Sequence, residues 1–297
     1  RKIVMDLPNL FPPDNLRVDV MVAPSHYVAN HASVTKFNKN KSKNKRNKRS
    51  NDNQVQDDVW ETDVIVINPG VNTNLFSPAH HSRTNDGDTL GTQFPLKRTR
   101  RSQQGWYPVI GFLARFSPEK SPGIFLSAAK LILHHWPSAR FVVIGEGALN
   151  LTTYVNMLGI SQSVEFKGGI YDQNSLVSEI RSMTLVVNPS LRAWSETFCI
   201  ANIEVMATGI PLVSFGVGGV KEYLHHDVHN NEFPQNGVIV EEGSAEALAN
   251  GVLDLLANQT KREEIAKFAH LTVNEGFTIE KEVEAYRQLY VKILQDN

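Results

Sequence analysis

The chain has 297 residues, 41% of them hydrophobic, enough to bury one large core or two small ones. With 30 basic and 31 acidic residues the formal charge is −1, so no global charge recommends a nucleic acid or an anionic membrane as partner. The one cysteine, Cys199, excludes an intrachain disulfide framework and most cysteine-based metal sites, and no run of about 18 apolar residues is present to span a bilayer.

Val18 to Ala23 (VDVMVA) reads as a strand, followed by Pro24, the candidate helix cap Ser25 and the helix-like run HYVANHASV. Residues 1–35 therefore read as one βα unit at the edge of a domain. Residues 36–58 are almost devoid of apolar side chains, cannot offset their ordering entropy by burial, and are expected to be a disordered basic insertion. A basic patch for nucleic acid or nuclear targeting is the competing reading, but no aromatic residue interrupts the run Lys39 to Arg49 to stack on bases. Residues 59–78 hold a strand, Val64 to Ile67, closed by the turn Asn68-Pro69-Gly70, and read as an interdomain connection. Residues 79–104, rich in Ser, Thr, Arg and Gly, form a second stretch expected to be disordered.

Between 105 and 275 the apolar runs VIGFLARF, ARFVVIGEG, SVEFKGGI, TLVVNPS, PLVSFG and GVIV alternate with helical patterns, including IFLSAAKLILHHW, SLVSEIRS and AEALANGVLDLLAN. About six strands of this kind predict one doubly wound parallel α/β domain. In 276–297, Val283, Tyr286, Leu289, Tyr290 and Ile293 recur at helical spacing, which predicts a terminal amphipathic helix.

The segment Ser195 to Gly209 carries the most chemistry. Ser195 predicts a cap for a helix starting near Glu196, with Gly209 in the C′ position and Pro211 beyond it. On such a helix Glu196 and Glu204 would differ by about 80° of rotation and roughly 12 Å of rise. A helix N-terminus suits a phosphate, and the two carboxylates could hold hydroxyl groups at either end of a phosphate-linked sugar nucleotide. A capping carboxylate plus an ordinary exposed glutamate satisfies the same spacing. Arg115 and Lys120 stand in the loop after the first strand of this domain, where open parallel sheets bind ligands; they also fit plain surface cations. Gly218 and Gly219 allow close backbone approach to a ligand. Gly145 and Gly147 begin a dinucleotide fingerprint that fails at Asn150, which removes the main support for a nicotinamide-dependent oxidoreductase. The 10 histidines show no zinc-site spacing, and Cys199, with no base partner nearby in sequence, reads as a packing residue.

Glu196, Phe198, Ile200, Glu204, Met206, Ala207, Gly209 and Pro211 together resemble the E-x7-E donor signature of the GT4 glycosyltransferases, which have the two-domain GT-B fold. GFLARFSPEK and SFGVGGVKEYL resemble two further blocks of that family in the expected order, and INPGVNTNLFSP resembles its interdomain linker, with Asn72 where an aspartate is common. VDVMVAPSHYVANH resembles the last βα unit of the N-terminal domain, and Cys199 stands where many members have glycine.

The resemblance implies a Rossmann-like donor-binding domain at 105–275, a remnant of the N-terminal acceptor domain at 1–35, and at 276–297 a helix crossing back onto that domain, with its apolar face left exposed here. It implies a nucleoside-diphosphate sugar as donor, with UDP, GDP and ADP undistinguished, no metal and no further cofactor. Glu204 would grip the ribose hydroxyls and Glu196 would face the donor sugar. Arg115 and Lys120 would stabilise the departing diphosphate, and Thr197, Phe198, Cys199, Ile200, Gly218, Gly219 and Glu222 would line the donor. Transfer would retain anomeric configuration. The acceptor is left open among glycan, lipid and small molecule, nucleic acid is not expected, and a cytoplasmic location, at a membrane surface or away from one, is the expectation unless an upstream targeting sequence directs otherwise. This chain is expected to bind a nucleotide sugar and to transfer weakly or not at all alone. The alternative is a catalytically silent nucleotide-sugar-binding or scaffold protein on the same fold.

Overall fold

A computed structural model of the chain describes residues 4–6, 20–30, 63–79, 101–102, 105–226 and 234–295. The insertion expected at 36–58 lies outside them, as does the stretch expected at 79–104 apart from 79, 101 and 102. Strands β1 (Val4–Asp6), β2 (Val20–Ala23) and β3 (Asp63–Val66) form a small parallel sheet in that order, with helix α1 described over residues 26–30 immediately after β2. A short hairpin, β4 (Arg101–Ser102) with β5 (Gly105–Trp106), precedes the main domain.

The main domain contains β6 (Val109–Leu113), α2 (Pro122–His135), β7 (Arg140–Ile144), α3 (Leu151–Leu158), β8 (Val164–Gly168), α4 (Gln173–Arg181), β9 (Leu185–Asn188), α5 (Ile200–Ala207), β10 (Leu212–Ser214), β11 (Val238–Ile239), α6 (Ala245–Ala257) and α7 (Gln259–Gly276). Its six strands are all parallel and lie in the order β11-β10-β9-β6-β7-β8. Counted from β6 this is the doubly wound order 3-2-1-4-5-6, whose topological switch falls between β6 and β9. Ligands bind at the carboxyl ends of the strands flanking that switch.

Alternation along the strands feeds two cores. Ile110, Phe112, Phe141, Val143, Leu185 and Val187 face one, together with α2 and α6. Val109, Val142, Ile144 and Val186 face the other, with α4, α5 and the end of α7. A fully buried Phe141 contributes about 2 kcal/mol by burial alone. Side-chain caps fix the helix starts: Asn150, Asp172, Ser244 and Asn258 each accept from the backbone N–H three residues on. The buried Arg262 guanidinium donates to the carbonyls of Leu255 and Leu256, satisfying the end of α6.

The final helix, α8 (Ile279–Gln295), leaves the main domain and packs on the small sheet. Leu289 and Ile293 are buried against Val20, Val22 and Ile67, and the N–H of Gly70 donates to Glu282 Oε2 at 2.9 Å. Part of the apolar face expected to be open is thus covered, while Val283, Tyr290 and Leu294 stay exposed. Among the described residues no helix is long and apolar enough to cross a membrane.

Candidate active site

The loops after β6 and β9 meet at the switch point. The first passes Arg115 and ends in a 3-10 turn, Pro118–Lys120; the second passes Asn188 and Ser190 and ends in another, Ala193–Ser195, just before Glu196. They are stitched by the Leu191 N–H, which donates to the Glu119 carbonyl at 3.0 Å. Lys120 Nζ donates to Glu196 Oε1 at 2.5 Å and to the Ser195 carbonyl at 3.2 Å, and the Ser190 hydroxyl donates to the same Oε1. Glu196 is 1% exposed, yet its Oε2 is buried with no partner among the described residues. A buried ion pair with one orphaned oxygen is expensive for a fold to keep, which makes Glu196 a candidate functional position.

The helix expected from Glu196 starts four residues later, at Ile200, and its N-cap is Cys199 rather than Ser195. Packing explains the shift. Phe198 turns its ring into the core, 5.2 Å from that of Tyr223 and 5.5 Å from that of Phe277, which pulls residues 196–199 out of helical geometry. Cys199 then takes a left-handed conformation, φ 66° and ψ 78°. That conformation favours glycine. The helical separation predicted for Glu196 and Glu204 therefore does not apply, since only Glu204 lies on α5. At the new helix start the N–H groups of Phe198, Cys199 and Ile200 find no acceptor among the described residues, leaving a cluster of donors beside the Glu196 carboxylate.

Two amides, Asn202 buried and Asn188 partly so, hold this turn from behind. Asn188 Nδ2 donates to Asn202 Oδ1 at 2.8 Å and to Cys199 Sγ at 3.2 Å, and Asn202 Nδ2 donates to the Tyr223 hydroxyl at 2.9 Å. Burial pushes the Cys199 thiol and the Tyr223 phenol well up, so both stay neutral. Gly218, at φ 60°, and Gly219 bring a second turn against the first: a Cβ on Gly218 would overlap the carbonyl oxygens of Glu196 and Ala193, and one on Gly219 would overlap that of Thr197. The Gly219 N–H donates to the Glu196 carbonyl at 2.9 Å.

A family model described as glycosyl transferases group 1 matches residues 96–271, more than half of the chain. The chain belongs to the glycosyl transferases group 1 family. The D-inositol 3-phosphate glycosyltransferase of Corynebacterium urealyticum is 26% identical over 222 residues, 71% of this chain and 47% of the relative. The enzyme of the same name from Mycobacterium sp. (strain KMS) is 31% identical over 164 residues, 53% of this chain and 33% of the relative. The chain thus spans about half or less of the length of these relatives. Among solved structures, the C-terminal domain of the group 1 protein LpcC from Francisella tularensis is 26% identical with a TM-score of 0.55, covering 71% of this chain and 100% of that one. Anabaena HepE, solved with UDP-glucose, is 20% identical with a TM-score of 0.68, covering 98% of this chain and 72% of that one, and shows the shared GT-B fold.

The expected residues fall into four places. Lys120, Glu196, Thr197, Cys199, Gly218 and Gly219 come together around the turn, and Phe198 belongs to it through its backbone, its ring being core. Arg115 and Ile200 lie exposed on the rim, and the Arg115 guanidinium makes no hydrogen bond or salt bridge among the described residues. Glu204 is half-buried on α5, and burial raises its carboxyl to about 7. Glu222 stands apart: its Oε1 accepts from the Tyr27 N–H at 2.7 Å and its Oε2 from the His26 N–H at 3.0 Å, so both oxygens cap α1. The sequence reading missed Ser190, Asn188 and Asn202. Ser190, one residue after a strand-ending Asn-Pro, carried the only readable signal. Among the described residues no group of three His, Cys, Asp or Glu is placed to hold a metal ion.

Proposed function

We propose that this chain is the donor-binding half of a retaining, GT4-type glycosyltransferase that takes its sugar from a nucleoside diphosphate. The observation that carries the reading is the orphaned Glu196 Oε2, buried beside Lys120 at the β6/β9 switch point, in the same segment as the N–H groups of Phe198, Cys199 and Ile200, which find no acceptor among the described residues. A diphosphate needs donors and a cation; a sugar needs a fixed acceptor for its hydroxyls; the site offers all three where the loops after β6 and β9 meet. Glu196 holds the donor sugar through Oε2. Lys120, with Arg115 at the rim, takes up the charge that builds on the diphosphate as its bond to the anomeric carbon breaks. Glu204, on the flank of α5, receives the ribose hydroxyls. The HepE structures in complex with UDP and UDP-glucose support this assignment of ligand class through the shared fold.

A thermal-shift and calorimetric titration of the whole chain with UDP, GDP, ADP and NAD, repeated on Glu204→Ala, tests the reading. Stabilisation by one nucleoside diphosphate, lost in the variant, is the expected result. A response to NAD alone, or to no nucleotide, removes it.

A further inference from the structure

We infer that Ser25, on the small three-stranded sheet's side of the molecule, is a positioning residue for the donor site. The inference rests on the proposed function and deepens it. Ser25 is fully buried, and its hydroxyl proton goes to the Thr197 carbonyl at 2.6 Å, 172 residues along the chain. Its oxygen in turn accepts the Val28 N–H at 3.2 Å, the N-cap bond of α1. With Glu222 taking the N–H groups of His26 and Tyr27, the first three N–H groups of α1 are all satisfied, two of them by a residue of the main domain. The start of α1 is therefore seated on the turn that carries Glu196, wedged there beside Gly219, where a Cβ would touch Ser25 Oγ as well as the Thr197 carbonyl.

The consequence follows from peptide geometry. In a trans peptide the C=O and the following N–H point in opposite directions. Fixing the Thr197 carbonyl toward Ser25 fixes the Phe198 N–H on the opposite side, among the free donors of the site. The same peptide is anchored at its other end by the Phe198 ring in the core and on its Glu196 side by the Gly219 N–H, so rotation about it is the freedom left for Ser25 to remove. Ser25 touches no part of the donor; it sets the direction of one of the N–H groups that the proposed function gives to the diphosphate.

The test is calorimetric titration of the parent, Ser25→Ala and Ser25→Thr, as full chains, with UDP and UDP-glucose, then with the GDP and ADP pairs. In Ser25→Ala, affinity for both the sugar nucleotide and the bare nucleoside diphosphate is expected to fall about tenfold, and Ser25→Thr, which keeps the hydroxyl, is expected to restore both. Equal affinity of Ser25→Ala and parent for the sugar nucleotide overturns the inference and leaves the proposed function standing. Parallel losses of both ligands, unrescued by threonine, also overturn it, because they mark a purely structural serine. A parent that binds none of the six ligands removes the donor-site reading and this inference with it.

Discussion

Lys120 Nζ and Glu196 Oε1 stand 2.5 Å apart although 76 residues separate them, because the loops that carry them leave the two strands flanking the sheet's switch point. Their side chains are 12% and 1% exposed, so the pair is held out of water.

Removing the cation should therefore strand the carboxylate. Lys120→Met leaves Glu196 buried and unpaired apart from Ser190, at a cost of about 3 kcal/mol, which lowers Tm by about 10 °C in a domain of this size. Nucleoside diphosphate affinity is expected to fall about thirtyfold in the same variant. Adding Glu196→Gln should recover part of the Tm and none of the affinity. A double variant as unstable as Lys120→Met alone would show that the pair is not what holds the two loops together; Tm by calorimetry decides it.

Gly219→Ala is the steric counterpart. Its Cβ would run into the Thr197 carbonyl, which is already fixed by Ser25, so neither partner can yield cheaply. The expected loss is about 3 kcal/mol, read as a lower urea midpoint with an unchanged slope, together with weakened sugar-nucleotide binding. An unchanged midpoint would mean that the two turns are not in contact in solution.

Much of the main sheet is readable from the chain alone, because most of its strands are apolar runs, whereas β1, β4 and β5, of two or three residues each, are too short to declare themselves. The start of α5 is different. Ser195-Glu196 carries every local mark of a cap, and only the aromatic cluster of Phe198, Tyr223 and Phe277, assembled from three distant segments, moves the helix to Ile200. Helix α7 went unread for the same kind of reason: its buried face includes Arg262, whose role appears only once the carbonyls ending α6 are in place. Glu222, expected at the donor from its motif, also accepts from two backbone N–H groups of α1, and partners of that kind have no side-chain signature at all.

Glu204 gives the site a pH dependence. Unfolded, its carboxyl ionises at its ordinary 4.5; folded, burial holds it neutral up to about 7. Between those values the folded protein keeps a proton that the unfolded chain has lost, so stability falls as pH rises through that window and stays lowered above it. Glu204→Gln should thus be more stable than the parent by about 3 kcal/mol at pH 8 and nearly indistinguishable from it near pH 4.5. Holding two ribose hydroxyls requires the ionised form, so the ratio of parent to variant affinity for nucleoside diphosphate should rise about tenfold from pH 6 to 8. A ratio flat across that range would release Glu204 from the ribose.

Cys199 offers a sharper test of the turn itself. Its left-handed backbone strains any residue with a Cβ by about 1 kcal/mol, and glycine relieves that strain at the loss of one weak contact from Asn188 to sulfur. Cys199→Gly should accordingly raise Tm by a few degrees or leave it unchanged, where most substitutions at a packed position lower it. Cys199→Val should lower Tm by more than 5 °C, about 2 kcal/mol, because a β-branched residue resists positive φ most strongly. The native thiol, held neutral by burial, should react with a disulfide reagent far more slowly than in urea. If glycine destabilises as much as valine does, the turn at 199 is not left-handed, and the free N–H groups of Phe198, Cys199 and Ile200 no longer face a common ligand.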